Sequence, residues 1–304
     1  MRATGFEVSP EVADAVSTGH AVVALESTLI AHGLPAADRR DVARQIEQTV
    51  RDRGAVPATI GVVRGRLIVG LTHEQLDRLA TGDPVKLSLR DLAPALALGR
   101  DGATTVASTA PIAAAAGIRV FATGGLGGVH RGARESWDES ADLVALSQTP
   151  IAVVCSGVKS ILDVTATLER MESLSIGLVG YGTDRFPGFY LSDSGHPVRW
   201  RADSPEEVAA MIRARDSLSP ARAALVVANP LPHDRQLDPE LHERVLAAAL
   251  TEAASAGIAG KDITPYLLER FHQLTEGRSV RANVQIILRN AALAAQIAVA
   301  GTAA

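Results

Sequence analysis

Short apolar runs without polar alternation recur along this chain, separated by helical patterns, and that recurrence constrains the fold more than any other feature. Ala21-Val22-Val23-Ala24-Leu25, Arg119-Val120-Phe121-Ala122-Thr123, Ile151-Ala152-Val153-Val154-Cys155, Ser175-Ile176-Gly177-Leu178-Val179 and Ala223-Ala224-Leu225-Val226-Val227 all read as strands. A strand apolar on consecutive residues is covered on both faces, which is the mark of a parallel sheet between helical layers. Ala37 to Arg53, Ile161 to Met171 and Pro205 to Arg215 supply helices between the strands. Pro239 to Ala256, Thr264 to Leu274 and a long segment from about Arg281 make the end of the chain helical. Thr59 to Val63 and Arg66 to Val69, joined at Arg64-Gly65, suit a hairpin, so the sheet is expected to be mixed. The expected fold is α/β, a three-layer α/β/α sandwich with a largely parallel central sheet.

A chain of 304 residues sits at the upper end for one core, where roughly 75% of the unfolded surface is buried. No repeat or low-complexity linker divides it, and the loose stretch from Pro187 to Pro197 is too short to separate domains. One domain over residues 1–304 is the expectation. Aromatic residues contribute 3% and the net charge is −4, which argues against a base-stacking platform and against a partner with a phosphate backbone. The start, from Met1 to Glu7, lacks the apolar region of a signal peptide. The apolar stretch Ala291 to Ala300 is interrupted by Gln296 and falls short of the ~20 residues that span a bilayer. The lone Cys155 rules out an internal disulfide and a cysteine-based zinc cluster. A cytoplasmic enzyme working on a small molecule, away from membrane and nucleic acid, fits these bounds.

In open α/β sheets ligands gather at the carboxyl ends of the strands, and five polar clusters fall there. Glu26-Ser27-Thr28 follows the opening strand; desolvation there raises a carboxyl toward general-acid duty, while Ser27 or Thr28 can equally cap a helix and leave Glu26 solvated. Lys86, in Val85-Lys86-Leu87-Ser88, can reach a substrate phosphate or lie on a surface strand. Gly124 to Gly132 holds five glycines in nine residues after a strand. That density lets backbone amides approach an anion or a ring, though it also suits plain turns, and it matches neither a Walker loop nor a dinucleotide fingerprint. His130 within it is a weak acid–base candidate by itself. Asp138, Glu139 and Asp142 can hold a hard divalent cation, or Asp138 and Ser140 can cap the helix Ala141 to Ser147. Lys159, in Cys155-Ser156-Gly157-Val158-Lys159-Ser160, is expected in the first turn of a helix. The macrodipole and burial both favour a neutral amine there, able to form a Schiff base. The bland alternative is a surface lysine. Cys155 reads as a small core residue.

Taken together, these clusters resemble the pseudouridine-5'-phosphate glycosidase, or indigoidine-synthase-A-like, family. The likeness runs from Ala24-Leu25-Glu26-Ser27-Thr28-Leu29-Ile30-Ala31-His32-Gly33-Leu34-Pro35 to Arg281-Ala282-Asn283-Val284-Gln285. Gly102 to Ala107, the glycine loop, Asp138 to Leu143, Gly157 to Asp163, Val227 to Pro230 and Gly260-Lys261 lie between. The resemblance implies reversible cleavage of pseudouridine 5'-phosphate to uracil and ribose 5-phosphate, with Glu26 as proton donor and Lys159 as the imine-forming nucleophile. It further implies Mn²⁺ at Asp138, largely through waters, and a homotrimer. Lys86, Val106, Ser140, Ala141 and Asp142 would touch substrate, and His130 and Asn283 would fall at the pocket. Glu139 stands where the family pattern suggests an apolar residue. A Schiff-base aldolase acting on a sugar phosphate, or a non-catalytic sugar-phosphate-binding or nucleotide-binding module, would use the same segments differently.

Overall fold

The computed structural model describes residues 5–218, 222–258 and 263–302, so the Gly260-Lys261 match lies outside the described residues. Among the described residues eleven strands form one connected sheet: β1 (Glu7–Val8), β2 (Val22–Leu25), β3 (Val56–Val63), β4 (Arg66–Val69), β5 (Val85–Leu87), β6 (Gly102–Thr104), β7 (Val120–Ala122), β8 (Ala152–Cys155), β9 (Gly177–Tyr181), β10 (Arg201–Ala202) and β11 (Leu225–Ala228). The first half of β3 opens an all-parallel run in the order β3-β2-β7-β8-β11-β9-β10, with Val56–Thr59 in register beside Val22–Leu25. Its second half, Ile60–Val63, turns to antiparallel partners, β4 and β6. The β3–β4 hairpin closes at Arg64-Gly65 with φ of 51° and 72°. Positive φ at both central residues is the turn whose twist matches paired strands.

Successive residues of each central strand enter opposite cores, as the unbroken apolar runs require. Val23, Leu25, Val120, Ala122 and Val154 face one side, with the helix Arg39–Arg51, the helix Pro205–Ser217 and the long helix Arg278–Thr302. Val22, Ala24, Phe121, Val153 and Cys155 face the other, against the helices Val106–Ala115 and Ala141–Ser147. The three-layer sandwich with a largely parallel mixed sheet is therefore the observed architecture. A third core, built on Phe186, Phe189, Tyr190 and Phe271, lies beyond the strand ends and brings in the helices Pro239–Ser255 and Ile263–Leu274.

Two differences from the sequence reading have plain causes. The strand expected at Ser175–Val179 begins two residues later, because Ser175 takes a left-handed φ of 57° and Ile176 N still bonds Met171 O, 3.0 Å, as the preceding helix ends. The C-terminal helix runs unbroken through Gln296 for 25 residues, long and apolar enough to cross a membrane by length and composition. Here it packs on β2, β7 and β8, burying Ile287, Ala291, Ala294, Ala295 and Ile297.

Candidate active site

Glu26 leaves the end of β2 half-buried, and its neighbours secure it. Ser27 Oγ donates to Ile60 O at 2.7 Å and accepts from Thr104 N at 2.9 Å, while Thr28 Oγ1 donates to Ala103 O at 3.1 Å. These hydroxyls do not cap the short helix Thr28–His32; they tie the end of β2 to β3 and β6. Glu26 Oε1 accepts a hydrogen bond from Thr123 Oγ1, at the end of β7. Burial holds the Glu26 carboxyl above the usual range, opposed first by the Lys159 charge and then by the Thr123 bond. Asp142 pushes it further up and Lys86 pulls it down.

Lys159 is not in a helix. Val158 bridges to Leu126, Lys159 N donates to Leu126 O at 3.0 Å, and Leu162 N returns to Lys159 O at 3.0 Å in a turn. The helix starts at Val164, because Asp163 caps it by accepting from Ala166 N at 3.0 Å. The expected helix from Ile161 is corrected accordingly: Lys159 lies four residues before the Asp163 cap and not in a first helical turn. What survives is position: Lys159 stands half-buried beyond β8, and its charge acts on Glu26, His130 and Cys155. Cys155 is fully buried, its thiol pushed up to about 12 by burial, and fills the core as read.

The glycine loop is stitched to protein. Leu126 N donates to Gly157 O, 2.9 Å, Gly127 N to Asp142 Oδ2, 2.8 Å, Val129 N to Thr167 Oγ1, 2.9 Å, and His130 N to Asp138 O, 3.0 Å. A Cβ on Gly127 would lie 2.2 Å from Ser140 Oγ, and one on Gly128 would lie 2.4 Å from Thr167 Oγ1. Close packing thus accounts for glycine at these two positions, and four amides of the supposed anion cradle are already bonded.

Asp142 is 6% exposed, and its Oδ1 accepts from Ala107 N at 2.9 Å, so its carboxylate braces the glycine loop against the start of the helix Val106–Ala115. Ser140 caps its own helix by accepting from Asp142 N at 3.2 Å, Ala141 is exposed, and Val106 is buried. Asp138 is half-buried with Oδ2 3.9 Å from His130 Nδ1. Burial holds the His130 imidazole below its usual range; Asp138 opposes this, while Lys159 and Lys86 reinforce it. Glu139, the departure from the family pattern, accepts from Arg170 Nε at 2.9 Å and so has a surface partner of its own. Lys86 is exposed on β5, and its charge acts on Glu26, His130 and His32. Asn283 is 5% exposed and reaches from the long helix to Gly33 O, 3.4 Å. Glu26, Lys86, Lys159, His130, Asp138 and Asp142 therefore form one electrostatic cluster, with Asn283 at its edge over Gly124.

Sequence reading assigned nothing to Thr123, Ser156, Asn229 or Asn290, which form a buried polar network beneath this cluster. Its one legible trace is Asn290, a polar residue in an apolar helix seven positions from Asn283 and hence on the same face. Ser160 Oγ, Asn283 Oδ1 and His32 Nε2 are buried without a hydrogen-bond partner among the described residues. Buried polar atoms without a protein partner are what a polar ligand would satisfy.

The family model described as indigoidine synthase A like protein matches residues 11–300. A pseudouridine-5'-phosphate glycosidase of Salinispora tropica is 63% identical, with 96% of this chain and 91% of that protein covered. One of Streptomyces griseus is 59% identical with the same coverage, 96% and 91%. Among solved structures, the prealnumycin C-glycosynthase AlnA in complex with ribulose 5-phosphate matches with a TM-score of 0.90 at 37% identity, covering 98% of this chain and 97% of that one. An indigoidine synthase A-like protein of Thermotoga maritima matches with a TM-score of 0.88 at 35% identity, covering 97% and 95%. The chain belongs to the indigoidine synthase A-like family.

Proposed function

We propose that this chain is a pseudouridine-5'-phosphate glycosidase, cleaving the carbon–carbon bond between C1' of the ribose and C5 of uracil to give uracil and ribose 5-phosphate. The observation that supports the reading is that Glu26, a carboxyl after β2 held above its usual range by burial, lies within the influence of the Lys159 charge beyond β8. The names of the relatives support it, as does the pentose phosphate bound to AlnA. Ribulose 5-phosphate cannot close a furanose ring, because its C5 oxygen is esterified. A site of this architecture that accepts it accepts an open-chain sugar phosphate.

Expelling carbon 5 of uracil as a carbanion from an intact sugar ring costs too much. On the proposed route the ribose ring opens with Glu26 supplying a proton, and the Lys159 nitrogen bonds to C1'. The amine gives a proton back to the Glu26 carboxylate, and its lone pair then forms C1'=N as the bond to uracil breaks and carbon 5 takes that proton from Glu26. Water hydrolyses the imine, freeing ribose 5-phosphate and the amine. General acid catalysis supplies typically 10²–10⁴-fold, so the covalent step carries much of the remainder. Lys86, His130, Asn283 and the segment Ser140 to Asp142, with Val106 behind Asp142, are the proposed substrate contacts.

Asp138 is the proposed holder of Mn²⁺. Among the described residues no three metal-ligating side chains converge, and a lone half-buried carboxylate beside an imidazole fits a hydrated hard cation that keeps most of its waters. Bound there, the cation would add positive charge and lower the pKa of groups around it. The proposed assembly is a homotrimer in the cytosol. Val85 and Leu89, exposed at 41% and 48% on either side of Lys86, offer apolar surface for subunit contact. Packing of the long apolar helix onto the sheet supports an aqueous compartment. Uracil release from pseudouridine 5'-phosphate, compared between the wild type and Lys159→Ala with and without Mn²⁺, tests the reading; no uracil from the wild type would overturn it.

A further inference from the structure

We infer that Asn290 is a positioning residue for the proposed acid: it holds the backbone at the end of β7 so that the Thr123 hydroxyl points at Glu26. This rests on the reading of Glu26 as proton donor. Asn290 has no exposed surface and sits midway along the helix Arg278–Thr302. Its Nδ2 donates to Thr123 O at 2.8 Å, to Gly124 O at 3.3 Å and to Ser156 Oγ at 3.2 Å. Its Oδ1 accepts from Asn229 Nδ2 at 2.9 Å, and Ser156 Oγ also donates to Asn229 O at 2.8 Å. One amide thus links the ends of β7, β8 and β11, the strands through which Thr123 and Lys159 are set relative to Glu26.

Both polar atoms of the Asn290 amide are bonded, and a satisfied buried amide specifies one arrangement of the groups it touches. The Thr123 backbone is fixed from below by Asn290 and from the sheet by Thr123 N bonding to Val154 O, 3.0 Å. With the backbone fixed, its hydroxyl is held on Glu26 Oε1, stabilising the charged carboxylate. The charged groups facing Glu26 are Lys159 from the loop after β8, Lys86 from β5 and Asp142 from the helix Ala141–Ser147. Substitutions at 123 and 290 are neutral and remove none of these charges, and comparing Asn290→Ala with Thr123→Val in the cycle separates the hydroxyl's effect from any shift of Lys159 through Ser156.

The experiment is a double-mutant cycle with Thr123→Val, Asn290→Ala and the pair, with Thr123→Ser as the conservative control. Two readouts are taken: the alkaline limb of kcat with pseudouridine 5'-phosphate, and Glu26 ionisation by carboxyl NMR on ¹³C-glutamate protein, assigned with Glu26→Gln. Thr123→Val should move the Glu26 titration up by about one pH unit, and Thr123→Ser should restore it. Asn290→Ala should move it in the same direction, and the pair should move no further than Thr123→Val alone. If circular dichroism shows Asn290→Ala unfolded, Asn229→Ala unlatches the same amide more gently and should give a smaller upward shift. A folded Asn290→Ala or Asn229→Ala with wild-type titration, or strictly additive shifts, would overturn the inference. The NMR titration needs no turnover, so it fails or succeeds independently of the proposed reaction; near-native turnover by Glu26→Gln would instead sink the acid assignment.

Discussion

Glu26 and Lys159 stand beyond strands that do not touch: β7 runs between β2 and β8, and Thr123 at its end donates its hydroxyl to Glu26. The residues follow strands on opposite sides of β7, and the Lys159 charge acts on Glu26.

Replacing Lys159 by alanine should abolish turnover and leave the fold intact, because among the described residues its side chain makes no hydrogen bond; the loop is held by the Lys159 backbone. Borohydride in the presence of ribose 5-phosphate should attach the sugar to Lys159 in the wild type, as read by peptide mass spectrometry. Unlabelled protein would count against the imine.

Glu26→Gln keeps the shape and removes the ionisable proton. Turnover should fall by about 10²–10⁴-fold while substrate affinity, measured by calorimetry, stays close to that of the wild type.

Glu26 also predicts a stability effect whose sign follows from its raised folded pKa. The native state holds the proton more tightly than the unfolded chain, so the carboxyl lowers stability as pH rises through its folded pKa. Glu26→Gln should therefore melt higher than the wild type at alkaline pH, with the gap closing as pH falls below the ordinary carboxylate value. A gap of constant size across pH would contradict the shift.

Gly157 has φ +84°, and a Cβ there would lie 2.2 Å from Pro187 O. Gly157→Ala should destabilise by about 1–3 kcal/mol in denaturant unfolding, through both strain and overlap. Displacement of the Lys159 loop should lower activity as well.

Asp138→Asn should weaken Mn²⁺ binding, read directly by electron paramagnetic resonance of the free ion, and chelation should silence the wild type until Mn²⁺ is restored. Full activity in excess chelator would remove the metal from the scheme.

The apolar runs made the sheet and its layers legible, because burial on both faces leaves a pattern that survives in one dimension. β5 and β6 were not read as paired strands: Gly102–Thr104 has three residues and owes its place to Ser27, Thr28 and the end of β3. Glu26, Asp138 and Lys159 could be singled out by residue type and by their place after strands. The first turn assigned to Lys159 was misread, since Asp163 is the better helix start and lies four residues on. Glycine density pointed to a ligand loop, yet Gly127 and Gly128 are small because Ser140 and Thr167 press against them. Asn290 escaped notice because its partners Thr123, Ser156 and Asn229 lie far away in sequence, and no spacing rule connects them.

β3 serves the parallel run with its first four residues and the antiparallel strands with its last four. Neither neighbour can absorb a change in its length: inserting one residue after Thr59 would invert the sidedness of everything that follows and carry Ile60 O away from the Ser27 hydroxyl. Drift in chain length within the family should accordingly spare this strand and accumulate where helices end in solvent.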